Sequence, residues 1–204
     1  MLRLHHAPMA CSLASRLALT EAGLPHEVAI VRTWNREQDA PAYRAINPRG
    51  QVPALQTDQG VLTESTAILP YIADLAPEKG LFPKAGTFAR AQGQAWLSFL
   101  SSSLHVALAS AMFAPDATAK AAALPRAAAA FQDIENHLEG RDHLLDRFSV
   151  ADLYLLVFAL WRASPTLGGG LPVLPNLDRV QQGLIVRPGL MAIVAEDMKT
   201  RSEA

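Results

Sequence analysis

The chain has 204 residues, half of them hydrophobic, enough to bury one large core or two smaller ones and too apolar for a disordered tail. With 18 Lys and Arg against 19 Asp and Glu its net charge is −1, which gives no reason to expect a nucleic-acid or acidic-membrane partner. One cysteine, Cys11, excludes an intramolecular disulfide and a thiolate-rich zinc site, and no metal is expected.

Residues 1 to about 76 alternate short strand-like and helix-like pieces. Leu2–His6 and Glu27–Val31 read as strands, and between them Leu13, Leu17, Ala18 and Ala22 fall at helical spacing before Gly23 and Pro25 end the run. This is a βαβ unit. Thr33–Arg49 is polar and irregular, with a poor helix at most. Pro53–Gln56 and Val61–Thr63 flank the turn signal Thr57-Asp58-Gln59-Gly60 and read as a hairpin. Ala67, Ile68, Tyr71, Ile72 and Leu75 then trace an amphipathic helix.

Pro77, Gly80, Pro83 and Gly86 mark residues 77–87 as a linker. Residues 88–204 read as helical throughout. Phe88, Ala91, Ala95, Trp96, Phe99, Leu100, Leu104, Ala107, Leu108, Ala111 and Met112 trace one apolar face of a long helix ending before Pro115. Ala117–Leu138 is Ala-rich and strongly helix-forming. Val150–Ala163 is apolar enough to be central, and Ser149-Val150-Ala151-Asp152 before it has the spacing of a capping box. Pro175–Val186 and Pro188–Met198 complete the set after the Gly168-Gly169-Gly170 loop. Met1–His6 lacks the apolar stretch of a secretory signal, and the longest apolar run, Leu153–Trp161, is about half of the ~20 residues a membrane span needs. A soluble cytoplasmic protein with no membrane partner is therefore expected, in a compartment that keeps thiols reduced.

Four features carry chemistry. Cys11 sits where the first helix begins, and unpaired N–H groups and the helix dipole there favour a thiolate. The plain alternative is a small buried apolar residue. A reactive Cys11 has no resolving cysteine in the chain and needs an external thiol, for which glutathione is the obvious small candidate. In Asn47-Pro48-Arg49-Gly50-Gln51-Val52-Pro53-Ala54-Leu55, Pro53 opens a strand; a cis Val52–Pro53 bond turns the Val52 backbone outward to pair with a short extended peptide. The alternative is an ordinary loop entering a strand. Thr63-Glu64-Ser65-Thr66 opens a helix whose N–H groups and Ser65 hydroxyl suit a carboxylate, with Glu64 available to an ammonium; the alternative is simple N-capping. His105 lies mid-helix on a polar stripe with Ser98, Ser101 and Ser102, as a donor or weak base, or as a solvent-facing residue.

Together these residues resemble a glutathione transferase, most like the bacterial beta class, over nearly the whole chain. The resemblance rests on Ala10-Cys11-Ser12-Leu13-Ala14, Asn47–Leu55, Leu62-Thr63-Glu64-Ser65, Leu104-His105 and Phe148–Asp152, in order and at compatible spacing. It implies an α/β thioredoxin-like glutathione-binding domain (residues 1–76) followed by an all-α domain (88–204), usually a homodimer. It implies that Val52 pairs with the cysteinyl backbone of glutathione beside a cis Pro53, that Gln51, Glu64 and Ser65 hold the γ-glutamyl end, and that Arg36 or Asn35 supplies a further contact. Cys11 then lies beside the glutathione sulfur, able to form a mixed disulfide with it, and His105 faces that sulfur from the helical domain. Met9 replaces the glycine common in the class, the 33–45 segment is about one residue short, and the Gly168–Gly170 loop is unusual.

The function this implies is detoxifying transfer of glutathione thiolate to a small apolar electrophile, bound among Met9, Ala107, Leu108, Ala111, Met112 and Trp161. Two alternatives are a glutathione-dependent thiol–disulfide reductase using Cys11, and a non-catalytic binding module on the same fold.

Overall fold

A computed structural model describes residues 1–203 and resolves the chain into two compact units, one of Met1–Phe82 together with the segment from Val186 onward, the other of Pro83–Ile185. The packing thus divides the chain differently from a simple break at 77–87. Leu81 and Phe82, inside the expected linker, are buried side chains, and the last helix returns to the first unit.

In the first unit, strand β1 (Leu2–His6) leads through helix α1 (Leu13–Glu21) to β2 (His26–Ile30). Two 3-10 turns, Thr33–Asn35 and Glu37–Asp39, and the short helix α2 (Pro41–Arg44) fill the irregular stretch. Strands β3 (Ala54–Thr57) and β4 (Gly60–Thr63) form the hairpin, and helix α3 (Ser65–Leu75) follows. The sheet order is β2-β1-β3-β4. β1 runs parallel to β2, as the α1 crossover requires, and antiparallel to β3. Leu4 is paired with both Val28 and Leu55 and is fully buried, so the sheet centre rests on β1. The turn closes because Thr57 Oγ1 accepts the Gln59 N–H and donates to the Gly60 carbonyl.

The α3 stripe is rotated from expectation. Ser65, Ile68, Leu69, Ile72 and Ala73 face inward, whereas Leu75 is 42% exposed and Ala67 is exposed. The helix is apolar nearly all round, so its pattern permits either choice, and packing of α3 on α1 decides it.

Helix α9 (Leu190–Ser202) closes this unit against α1. Leu190, Val194 and Asp197 are its buried residues, so an aspartate occupies the next turn of an apolar stripe. Its carboxylate accepts from His6 Nε2 (3.0 and 2.9 Å), from the Met9 N–H (2.9 Å) and from Arg16 Nη1 (2.6 Å). Arg16 also reaches Glu196 at 2.6 Å. His6 Nδ1 lies 2.8 Å from Ser12 Oγ, which accepts the Ala7 N–H. Ser12 therefore spends its hydroxyl on the β1–α1 loop and not on capping α1.

In the second unit, α4 (Phe88–Phe99) passes through one wide π-helical turn (Leu100–Leu104) into α5 (His105–Met112). The buried line is Gly93, Leu97, Leu100, Leu104, Leu108 and Ala111; the expected positions Phe88, Ala91 and Ala95 are exposed. By length and composition alone the Phe88–Met112 run is sufficient to cross a membrane, with 33% of its apolar window buried. It packs on α6 (Ala117–His137) and on α7 (Val150–Arg162). α7 is the core of this unit: every residue from Val150 to Ala159 is buried. The capping box is formed, with Asp152 accepting the Ser149 N–H at 2.8 Å. Helix α8 (Pro175–Ile185) completes the unit.

Burial alone would raise the Asp197 carboxyl, but the hydrogen bond and charge of His6, the Met9 N–H and Arg16 outweigh it and hold Asp197 below the ordinary value of 3.8. A depressed folded-state value stabilises the fold above the unfolded pKa of about 3.9, and that contribution is lost as pH falls through the folded value. Unfolding free energy is therefore expected to fall more steeply below about pH 4 in the wild type than in Asp197→Asn. Asp197→Ala, which leaves His6 buried without its partner, is expected to cost about 3–5 kcal/mol in denaturant titration at pH 7.

Candidate active site

The loop between β1 and α1 carries Cys11, one residue before the helix N-cap Ser12. Its Sγ donates to the Val52 carbonyl across 3.3 Å, so the two motifs singled out from the sequence meet here. The expected low thiol pKa is not found. Burial is the largest influence and pushes Cys11 up to about 12, against the opposing pull of the Cys11 and Ser12 N–H groups; the nearby Glu64 charge raises it further. Desolvation thus outweighs the helix-terminus effect, and the group is a protonated donor. Met9, two residues earlier, takes φ +60, a conformation that favours glycine, and its N–H is fixed by Asp197.

The Val52–Pro53 bond is cis. The sheet register starts at Ala54, paired with both His5 and Thr63, so the Val52 backbone stands ahead of the sheet. The preceding loop is pinned at one atom: the Gln51 carbonyl accepts from Tyr43 Oη at 2.6 Å and from Asn47 Nδ2 at 2.7 Å. Burial pushes the Tyr43 hydroxyl up to about 12, which keeps it a donor. Gly50 has φ +63, and a Cβ there would lie 2.9 Å from the Gln38 carbonyl oxygen and 3.1 Å from Arg44 Nη2. Only glycine fits this corner.

Glu64 follows β4 with φ +70 and ψ 121; its side chain makes no capping bond to α3. It instead accepts from Arg49 Nη1 at 3.2 Å. Ser65 is the first residue of α3 and is buried. Arg36 is 82% exposed and paired with Asp39 at 3.0 Å. Asp39 also binds Arg44, whose guanidinium covers Gly50, so Arg36 is linked to the Gln51–Pro53 loop through two intermediaries and makes no hydrogen bond or ion pair to it.

The helical unit carries the remaining candidates. His105 opens α5 immediately after the π-helical turn. Its ring lies 5.3 Å from Phe158 and 5.2 Å from Trp161, centroid to centroid, so it packs on α7 aromatics and not on a solvent-facing serine stripe. Burial lowers its pKa, which makes it a neutral imidazole at pH 7. Leu108 is fully buried, while Met112 and Trp161 are part-exposed.

Sequence reasoning missed Tyr43, His6 and Asp197, which act across gaps in sequence that no local pattern spans. Asn47 and Arg49 stand inside the quoted motif, but the grip of Asn47 on the Gln51 carbonyl and the reach of Arg49 to Glu64 are seen only in the structure.

Residues 8–75 match the family described as Glutathione S-transferase, N-terminal domain, and residues 95–188 the family described as Glutathione S-transferase, C-terminal domain. The chain is 31% identical to Glutathione S-transferase GstA of Escherichia coli O157:H7 over 97% of its own length and 100% of that protein. Among solved structures it is similar to a sphingomonad glutathione S-transferase complexed with glutathione (TM-score 0.87, 37% identity, 96% of this chain and 98% of that one). It is likewise similar to a bacterial beta class glutathione S-transferase of Sphingomonas chungbukensis (TM-score 0.86, 35% identity, 96% and 98%).

Two measurements test the geometry. The alkylation rate of Cys11 by iodoacetamide is expected to rise continuously from pH 7 to pH 10; a plateau near pH 7 would show a thiolate instead. Gly50→Ala is expected to cost about 1–3 kcal/mol of stability, because the added methyl meets backbone and the left-handed conformation is strained.

Proposed function

The chain belongs to the glutathione S-transferase family and is an enzyme of that class, and on this premise we propose that it binds glutathione against the Val52 backbone, holds it as the thiolate and transfers it to a small apolar electrophile. The observation that carries the reading is the 3.3 Å contact between Cys11 Sγ and the Val52 carbonyl. A peptide that pairs with the Val52 backbone through its own cysteinyl N–H and C=O sets its sulfur beside Cys11. The cysteinyl N–H takes the carbonyl, and the Cys11 thiol is then free to donate to the neighbouring sulfur.

The raised Cys11 pKa supports this division of labour. A protonated thiol is a donor to a thiolate and a poor nucleophile. Lowering the pKa of a bound thiol by two units corresponds to about 2.7 kcal/mol of differential stabilisation, within reach of two or three donors in a partly dry site. The thiol–disulfide reductase reading needs a Cys11 thiolate to attack first, and burial opposes it. Gln51, Glu64 and Ser65 are proposed to receive the γ-glutamyl end, and Arg36 to act at longer range as a positive charge. In the helical unit, His105 is proposed as a neutral catalytic donor, with Met112, Trp161 and Leu108 of the same unit as candidate apolar surface; in the first unit, Met9 is proposed as apolar surface beside Cys11.

We also propose a cytoplasmic homodimer acting in detoxification. Val61, Leu75, Phe88 and Val106 are individually exposed apolar side chains, each available to a second copy. Light scattering is expected to give twice the chain mass.

The protein is expected to be retained on immobilised glutathione and to conjugate an aryl halide; absence of glutathione affinity would sink the proposal. Cys11→Ala is expected to keep conjugation within about tenfold of wild type. A loss beyond about a thousandfold would make Cys11 indispensable to the glutathione site and overturn its role as one donor among several.

A further inference from the structure

We infer that Arg49 is a specificity-determining residue that supplies the positive charge for the α-carboxylate at the γ-glutamyl end of the ligand. The inference rests on the glutathione reading above and adds a residue to it.

Arg49 bridges the two segments assigned to that end of the ligand. Its backbone is fixed in the turn before Gly50, where its N–H donates to Asn47 Oδ1 at 3.2 Å. Its side chain crosses to the end of β4, where Nη1 donates to Thr63 Oγ1 and to Glu64 Oε1, both at 3.2 Å. The γ-glutamyl terminus of glutathione bears an ammonium and a carboxylate on one carbon. A lone Glu64 would attract the first and repel the second almost equally, so Glu64 cannot select this end unaided. A cation a hydrogen-bond length from Glu64 makes the site zwitterionic in its turn, and Arg49 is the cation paired with Glu64.

Three features equip Arg49 for the exchange. The Arg49–Glu64 pair is exposed, with side chains 64% and 57% accessible, so opening it costs little. The guanidinium presents a planar fork matched to a carboxylate. Glu64, turned by its positive φ, does not cap α3, which leaves the amide-rich start of that eleven-residue helix to the same carboxylate. The ligand then replaces one exposed ion pair by two, Arg49 with its carboxylate and Glu64 with its ammonium.

Three probes separate these contributions: glutathione, γ-aminobutyryl-cysteinylglycine, which keeps the amine and lacks the α-carboxylate, and glutaryl-cysteinylglycine, which keeps the carboxylate and lacks the amine. Dissociation constants are measured by calorimetry for wild type, Arg49→Met, Arg49→Lys and Glu64→Gln. Arg49→Met is expected to weaken glutathione at least tenfold and to leave γ-aminobutyryl-cysteinylglycine within twofold of its wild-type value. Arg49→Lys is expected to recover part of the loss. Glu64→Gln is expected to weaken glutathione and to spare glutaryl-cysteinylglycine. Equal weakening of all three probes by Arg49→Met overturns the inference in favour of a structural role for Arg49, and so does unchanged glutathione affinity. Failure of wild type to bind any probe overturns both this inference and the glutathione reading, and is distinguishable from either result.

Discussion

A single buried carboxylate organises the first unit. Asp197 lies on α9 where the helix would ordinarily present an apolar side chain, and it draws together His6 from β1, the Met9 backbone and Arg16 from α1. A buried charge is tolerated only when its hydrogen bonds are satisfied, and each of these donors comes from a different point on or beside the loop that carries Cys11. The loop conformation, including the left-handed Met9, is thus stated in the same atoms that hold the terminal helix down. Ser12, recruited to this network through His6, leaves α1 without a side-chain cap, so the start of that helix is defined by tertiary contacts.

The second fixed element is the Gln51 carbonyl, held by Tyr43 and Asn47. Two donors on one oxygen orient the peptide plane ahead of Val52. Cys11 then reads the next carbonyl along. The resulting site is a rigid backbone edge flanked by a protonated thiol, with charged groups at its rim in exposed pairs. Rigid recognition at the centre and exchangeable charges at the edge suit a small peptide ligand whose backbone is invariant and whose ends are ionic.

Much of this was legible from residues alone, for identifiable reasons. The βαβ start, the Thr57–Gly60 turn and the Ser149–Asp152 capping box depend on neighbours within a few positions, and local chemistry determines them. The meeting of Cys11 with Val52 was legible only through family resemblance, because a loop does not announce its partner. The errors share a cause. The buried faces of α3 and α4 were misassigned because both helices are apolar on several sides, and the choice among sides is made by packing. The π-helical turn at Leu100–Leu104 breaks the 3.6-residue period on which the expected stripe was drawn. The sequence points to a low thiol pKa because helix termini are visible in it, whereas the desolvation around the half-buried Cys11 is not.

The first unit is discontinuous: its sheet lies in the first 82 residues and its buried carboxylate arrives with the last helix. His6 and Asp197 stand 191 positions apart. One contact thus spans the whole helical unit in sequence: the core beside the Cys11 loop closes only when the helix that carries Asp197 joins the sheet that carries His6, and a substitution on α9 is felt at β1.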